Sequence, residues 1–240
     1  MKKALLLFAL SFGLSAPMSA QSAPPNVLTH IQSRLAHTVP LDSLLMLESE
    51  LGKVRTATPN AYLSYWQAYV NYRLSYAYGK DRKSADKAAD KGVSLLEGIK
   101  TKSSEHYSLL SLLQGILLET ASPVTVAFKA TTVASSARKS IELDANNLRA
   151  YLALAVYDFY TPKLYGGGKL VEENLKKAIA LSPKSDANAY APDWGQATAY
   201  RYLAKFYQND NKLDLAKQYA MAGMSKYPMN RGLQELSKNL

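Results

Sequence analysis

Five tyrosines in the segment AYLSYWQAYVNYRLSYAYG, residues 61–79, are the first candidates for binding chemistry. They are spaced three, four, three and four residues apart, which places them on one face of a predicted helix: Tyr62, Tyr65, Tyr69, Tyr72 and Tyr76. Phenol rings can bind a partner through large, stiff contact surfaces, or they can fill the space between packed helices. We predict that the residues of this helix that pack against its neighbours are among Tyr65, Trp66, Tyr69 and Tyr72. Tyr62, Tyr76 and Arg73 are predicted to lie beside them.

Side chains suited to catalysis or metal binding are scattered along the sequence. His30 and His37 are seven residues apart, so on a helix they would lie about 10 Å apart, too far to share one metal ion. Glu172 and Glu173 are adjacent and point to different sides of their helix, which suits the helix dipole better than paired acid–base work. The sequence has no cysteine, which excludes disulfides, thiolate metal sites and a cysteine nucleophile. We therefore predict no catalytic residues, no metal, no cofactor and no enzymatic activity.

The glycine run GGGK, residues 166–169, is a candidate phosphate-binding loop. It lacks the GxxxxGK[ST] spacing, and no predicted strand precedes it. Three consecutive glycines cost a helix interior about 1 kcal/mol each. The run is therefore predicted to be a break between two helices.

The N-terminus has the pattern of a cleaved export signal. Lys2 and Lys3 precede an apolar stretch over residues 4–14 and small residues over 15–23. We expect residues 1–22 to be removed, and no later stretch has the roughly 20 apolar residues that cross a bilayer. The mature protein is predicted to be exported, soluble and periplasmic, with no transmembrane segment.

The charge is basic. The 240-residue sequence has a net charge of +10, and removal of Lys2 and Lys3 with the leader lowers it to +8. Export and the absence of an arginine-rich run argue against nucleic acid as a partner. The excess positive charge suits an acidic protein, an anionic ligand or a membrane surface.

Helical periodicity runs through most of the chain, and its breaks have recognisable caps. Thr58-Pro59 and Ser122-Pro123 place a hydroxyl before a proline at the first helical position, and Asn211 is a predicted N-cap. Helices are predicted over residues 26–37, 41–55, 59–78, 82–99, 104–120, 124–143, 147–160, 169–181, 193–208, 212–226 and 229–238.

One C-terminal segment resembles a tetratricopeptide repeat (TPR), a helix–turn–helix unit of about 34 residues. The repeat-packing residues that carry this resemblance are Tyr200, Leu203, Ala204, Tyr207, Ala216, Gly223 and Pro228. A preceding, more divergent unit matches through Leu175, Ala178 and Pro183. The resemblance implies an all-α, right-handed superhelical array of antiparallel helix pairs, a TPR-like α-solenoid. It also implies irregular N-terminal helices over residues 23–57 and about four helix pairs over 58–240.

The segment YTPKLYGGGKL is similar to an insert found in some periplasmic TPR proteins that partner TRAP-type transporters. Tyr160, Pro162, Tyr165, Gly166 and Gly167 carry this similarity. It implies a periplasmic, helical-repeat protein.

Two functions follow from these patterns. The first is a non-enzymatic scaffold that binds an acidic protein or peptide on a concave face. The sequence is compatible with a monomer or a homo-oligomer. The partner-binding candidates are Tyr62, Tyr65, Tyr69, Arg73, Tyr151, Tyr157 and Arg201. The alternative is a small-ligand or transport accessory protein with a pocket near the insert at Tyr165–Gly168.

Overall fold

The computed structural model describes residue 28, residues 30–36, 39–54, 61–183 and 190–240. The predicted leader, the Thr58-Pro59 cap and His37 lie outside the described residues. Within the described ranges the chain forms eleven α-helices and one 3-10 turn, with no strand. The fold is therefore all-α in this part of the chain. No helix in these ranges is both long and apolar enough to cross a membrane.

The helices follow one another with short connections. They are α1 (Ile31–Leu35), α2 (Leu41–Lys53), α3 (Ala61–Ala77), α4 (Arg82–Glu97), α5 (Ser104–Leu118), α6 (Pro123–Leu143), α7 (Leu148–Tyr160), α8 (Val171–Ala180), α9 (Gln196–Asn209), α10 (Leu213–Lys226) and α11 (Arg231–Lys238). The 3-10 turn is Lys163–Tyr165. From α2 onwards, each predicted helix end lies within three residues of the observed one.

Capping side chains explain several of these boundaries. Ser122 accepts a hydrogen bond from the Thr125 amide at 3.2 Å, with a proline in the first turn, as the sequence predicts. Asn147 caps α7 through the Arg149 amide at 2.9 Å. The prediction for Asn211 is wrong, because α10 is preceded by Lys212. Asn211 has a φ of 58° and forms the left-handed turn before it, a conformation that asparagine tolerates.

Helix packing follows a simple order. Each helix from α2 to α11 contacts the next, and α3, α5, α7, α9 and α11 also contact one another in sequence. One apolar core joins α1–α5 with parts of α6 and α7, and a second joins α7–α10. A small cluster of Ala204, Ala220 and Leu236 connects α11 to α9 and α10. Because α7 contributes residues to both large cores, it connects them.

Most residues of the TPR-like pattern are buried. Leu203, Ala204, Ala216, Leu175 and Ala178 are each 0% exposed. Tyr207 and Gly223 are also buried, and a Cβ at Gly223 would lie 2.8 Å from that of the half-buried Tyr200. Pro183 is half-buried and Pro228 is exposed, so the two closing prolines lie at the edge of the packing.

A candidate ligand cleft

A cleft with a volume of about 810 Å³ lies between α1, α3, the segment 190–195 and α9–α11. We call it the aromatic cleft. Helix α3 supplies Tyr69, Tyr72, Arg73 and Tyr76. The side chains that face them include Trp194, Arg201, Lys226, Tyr227 and Arg231.

Three aromatic rings form a wall of the aromatic cleft. The ring of Trp194 stacks on Tyr69 with centroids 4.5 Å apart and 26° between the planes, and on Tyr72 at 6.0 Å and 27°. Tyr69 and Tyr72 are themselves 5.9 Å apart and inclined by 25°. Tyr76 meets Tyr72 edge-on at 5.1 Å and is 46% exposed. This stacking fixes the three rings relative to one another at one side of the aromatic cleft.

The five tyrosines on one face of α3, which we call the tyrosine stripe, therefore have different roles. Tyr65 is 1% exposed and accepts a hydrogen bond from the Trp194 indole nitrogen at 3.0 Å, so it is a packing residue with no surface for a partner. Tyr69 and Tyr72 are buried, at 5% and 7% exposed, and both belong to the lining of the aromatic cleft. Tyr62 is half-buried beside Tyr190, outside the cleft lining. Burial follows from position on the helix, since Tyr65 faces the α5–α7 side of α3, where it contacts His106.

Basic side chains surround the aromatic wall. The Arg73 guanidinium lies 5.9 Å from the Tyr69 ring centre and donates to the Leu35 carbonyl at 3.0 Å. The Arg201 guanidinium lies 5.3 Å from the Tyr202 ring centre, and no carboxylate of the described residues forms an ion pair with it.

The cleft lining has an excess of positive charge. Four cationic residues, Arg73, Arg201, Lys226 and Arg231, face two acidic ones, Asp193 and Glu235, which leaves +2. Glu235 already pairs with Arg231 at 2.8 Å. An anionic ligand is therefore favoured here over a cation.

The cleft phenols stay neutral at physiological pH. Burial raises the pKa of Tyr69, and it raises the pKa of Tyr72 to about 12. Burial also raises the pKa of Tyr227, another phenol of the cleft lining. The phenols thus act as rings and hydrogen-bonding hydroxyls, and the arginines supply the charge.

Comparison with known proteins gives a fold and little more. No family model matches the sequence, and no curated protein does. Among solved structures, the chain is similar to the HusA haemophore from Porphyromonas gingivalis, with a TM-score of 0.60 and 21% identity over 80% of this chain and 96% of that one. The two chains share a fold.

Several predicted site residues lie away from the aromatic cleft. Tyr151 is half-buried, and its hydroxyl donates to the Ala145 carbonyl at 3.0 Å. Tyr157 is also half-buried and outside the lining. Of the seven predicted partner-binding residues, three line the aromatic cleft: Tyr69, Arg73 and Arg201. The sequence interpretation missed Trp194 and Tyr227, because nothing in their local pattern shows that their segments pass beside α3.

The insert has a structural role at its glycines. A Cβ at Gly167 would lie 1.8 Å from the Thr161 carbonyl oxygen, and Gly166 and Gly168 have φ values of 86° and 87°. The Asp158 carboxylate accepts the Leu170 amide at 2.7 Å and closes the turn. None of residues 165–168 lines the aromatic cleft, so the cleft is not the pocket predicted at the insert. A separate cavity of about 250 Å³ lies between Tyr76, Arg82, Glu119 and Tyr160.

Among the remaining titratable candidates in the described residues, His106 and Glu172 have structural roles. His106 Nδ1 accepts the Ser103 amide at 2.9 Å and so caps α5. His30 is exposed. Glu172 pairs with Lys176 at 2.6 Å on one helix face, and that pairing lowers its pKa. No group of three or more histidine or acidic side chains in the described part of the chain is arranged to hold a metal.

Proposed function

We propose that this protein is a non-enzymatic binding protein that holds a flat, acidic aromatic molecule in the aromatic cleft. The observation that supports this best is the stacked wall of Tyr69, Tyr72 and Trp194 with arginines at its margin. Stacking on such a wall orients a planar ring system, and Arg73 and Arg201 are placed to receive its carboxylates.

A tetrapyrrole is the ligand class that fits these features. It is planar and largely apolar, and its common forms carry two carboxylates, which match the +2 excess of the cleft lining. The volume of about 810 Å³ lies in the range of pockets that bury most of a ligand of this size. The fold likeness to a haemophore points in the same direction. In this proposal the tetrapyrrole is cargo, and the protein performs no reaction on it.

The proposed architecture is TPR-like, with the aromatic cleft on the inner side of a right-handed array of helix pairs. Two features support it. Alternate helices α3 to α11 pack in sequence, and small residues stand where paired helices approach, such as Ala204 and Ala216. Export to a bacterial periplasm is part of the same proposal and rests on the leader pattern of residues 1–22.

A protein or peptide partner is the second candidate. It is favoured by the exposed apolar side chains around the insert, where Leu164 is 87% exposed, Tyr165 78% and Tyr160 58%. Those residues lie outside the lining of the aromatic cleft, so the two candidates can be separated by mutation.

The test is a titration of the mature chain with hemin and with metal-free protoporphyrin IX, followed by absorbance and by quenching of tryptophan fluorescence. We expect saturable binding of both with one ligand per chain. Substitution of Tyr165 by alanine should leave binding unchanged, because that ring is remote from the aromatic cleft. Absence of saturable binding of either compound would refute the ligand proposal.

A further inference from the structure

We propose that Arg149, which lies behind the aromatic cleft and does not line it, is a positioning residue for ligand binding because it holds Trp194 in place. This inference rests on the proposed function for its binding readout. Its structural part, the control of Trp194 by Arg149, can be tested in the ligand-free protein.

Arg149 is buried and donates hydrogen bonds to three separate parts of the chain, at Glu105, Pro183 and Trp194. It is 0% exposed, and its Nε and Nη2 atoms donate to the two carboxylate oxygens of Glu105, each at 2.5 Å. Its Nη1 atom donates to the Pro183 carbonyl at 2.8 Å and to the Trp194 carbonyl at 2.7 Å. The guanidinium carbon also lies 5.9 Å from the Trp194 ring centre. One side chain thus fixes both the backbone and the ring face of Trp194.

Trp194 belongs to a connection without helical structure, which we call the strap, residues 190–195. Other side chains hold its first residues: Trp66 donates to the Tyr190 carbonyl at 3.0 Å, and Gln32 donates to the Ala191 carbonyl at 2.6 Å. At its end, Arg149 holds the Trp194 backbone and Tyr65 receives the indole N–H. The wall of the aromatic cleft therefore depends on these side-chain anchors, since no backbone hydrogen bond among the described residues involves residues 190–194.

The geometry at the end of the strap requires a close approach to α7. Gly195 has a φ of 113°, and a Cβ there would lie 2.7 Å from a Leu148 methyl carbon and 3.1 Å from Arg149 Cγ. The strap backbone can therefore press against α7, which brings the Trp194 carbonyl within reach of the guanidinium.

A buried ion pair is a costly way to stabilise a fold, which suggests another role for this one. Burial alone would lower the pKa of Arg149, but the charge and hydrogen bonds of Glu105 raise it above its usual value, so the guanidinium stays charged. Apolar replacement of such pairs is often neutral for stability. What apolar side chains cannot replace is the pair of hydrogen bonds to the Pro183 and Trp194 carbonyls.

The decisive variant is the double substitution Arg149→Met with Glu105→Leu, which removes both charges together and preserves volume. We expect a folded protein in which hemin binds about tenfold more weakly, because the wall ring is no longer fixed. In the ligand-free variant, acrylamide should quench Trp194 more strongly than in wild type. The chain has two tryptophans, so the contribution of Trp66 is measured in matched proteins that also carry Trp194→Phe and is subtracted.

A double-mutant cycle separates positioning from general damage. If Arg149 acts through Trp194, the double substitution should weaken hemin binding no further in a Trp194→Ala background. The proposal would be overturned if the double substitution weakened hemin binding by a further factor in the Trp194→Ala background. It would also be overturned if the double variant bound hemin with wild-type affinity and showed unchanged quenching of Trp194.

A second variant covers the case in which the double substitution does not fold. Arg149→Lys keeps a cation beside Glu105 but lacks the planar fork that reaches two carbonyls and a carboxylate at once. It should raise Trp194 quenching while circular dichroism stays helical, and unchanged quenching would count against the proposal. If wild-type protein binds no hemin, the proposed function fails, while the quenching comparison still decides the role of Arg149.

Discussion

The indole nitrogen of Trp194 donates a hydrogen bond of 3.0 Å to the hydroxyl of Tyr65, across 129 residues of sequence. Tyr65 is a buried member of the tyrosine stripe, and Trp194 stacks on the next two tyrosines of that stripe. Through this hydrogen bond, the buried Tyr65 supports the Trp194 ring in the wall of the aromatic cleft.

Replacement of Trp194 tests that wall. Trp194→Ala should weaken hemin binding about tenfold and lower the free energy of unfolding by about 2–4 kcal/mol, because a large ring is lost and the Tyr65 hydroxyl loses its donor. Trp194→Phe keeps a stacking ring and should bind hemin more tightly than the alanine variant. Absorbance titration and urea unfolding measure the two effects. Equal affinities of the two variants would contradict a stacking role.

Tyr76 tests the open edge of the aromatic cleft. Its ring is 46% exposed, so Tyr76→Ala should weaken hemin binding several-fold and change the unfolding free energy by about 1 kcal/mol or less. Phe128→Ala is the matched control, since that ring is 77% exposed on α6, outside the cleft lining. A similar loss of affinity in both variants would indicate nonspecific adsorption.

Arg201 tests recognition of the acidic groups. Arg201→Ala should weaken binding of protoporphyrin IX about tenfold, because a charge-assisted contact to a carboxylate is lost. Binding of the dimethyl ester, which has no carboxylate, should be weaker in wild type and insensitive to this substitution. Lys217→Ala removes one exposed positive charge outside the cleft lining and is the control for net charge. Tight binding of the ester by wild type would show that the carboxylates are not recognised.

The stability of the protein should fall at alkaline pH through Tyr72. Burial raises its pKa from 10.0 to about 12, so the unfolded chain releases this proton first. The contribution of the neutral phenol, about 2–3 kcal/mol, is complete below pH 10 and is lost as the pH rises from 10 towards 12. Tyr72→Phe should therefore lose less stability than wild type between about pH 9 and pH 11.5 in urea unfolding. An equal loss in both proteins would assign the alkaline sensitivity to other groups.

Two glycines test the helix packing. Gly223→Ala should lower the unfolding free energy by about 1–3 kcal/mol, because the added methyl group would lie 2.8 Å from Tyr200 Cβ and 3.1 Å from a Leu233 methyl carbon. Gly52→Ala is the control within a helix: no atom of the described residues lies within 4 Å of the added carbon, so stability should rise by about 0.5–1 kcal/mol. Thermal unfolding compares the two, and a stabilised Gly223→Ala variant would contradict close packing at that position.

Local sequence chemistry determined the helices and several of their ends. Periodicity of 3.6 residues identifies each helix from α2 to α11, and Ser122 with Pro123 marks the start of α6. These features depend on neighbours within one or two turns, so a single sequence contains them. Asn211 is not the predicted cap but part of the left-handed turn before α10, because asparagine suits both positions.

The aromatic cleft was decided by the tertiary structure. Tyr69, Arg73 and Arg201 can be found as candidates from their residue types, but the sequence does not say which face of a tyrosine-rich helix is covered. That depends on the strap, where Trp194 is placed by hydrogen bonds from Arg149 and to Tyr65. Those partners are 45 and 129 residues away in sequence, and contacts at such separations have no local signature. The sequence by itself thus determined an all-α chain with a tyrosine stripe, and tertiary packing determined that part of the stripe forms the wall of a cleft.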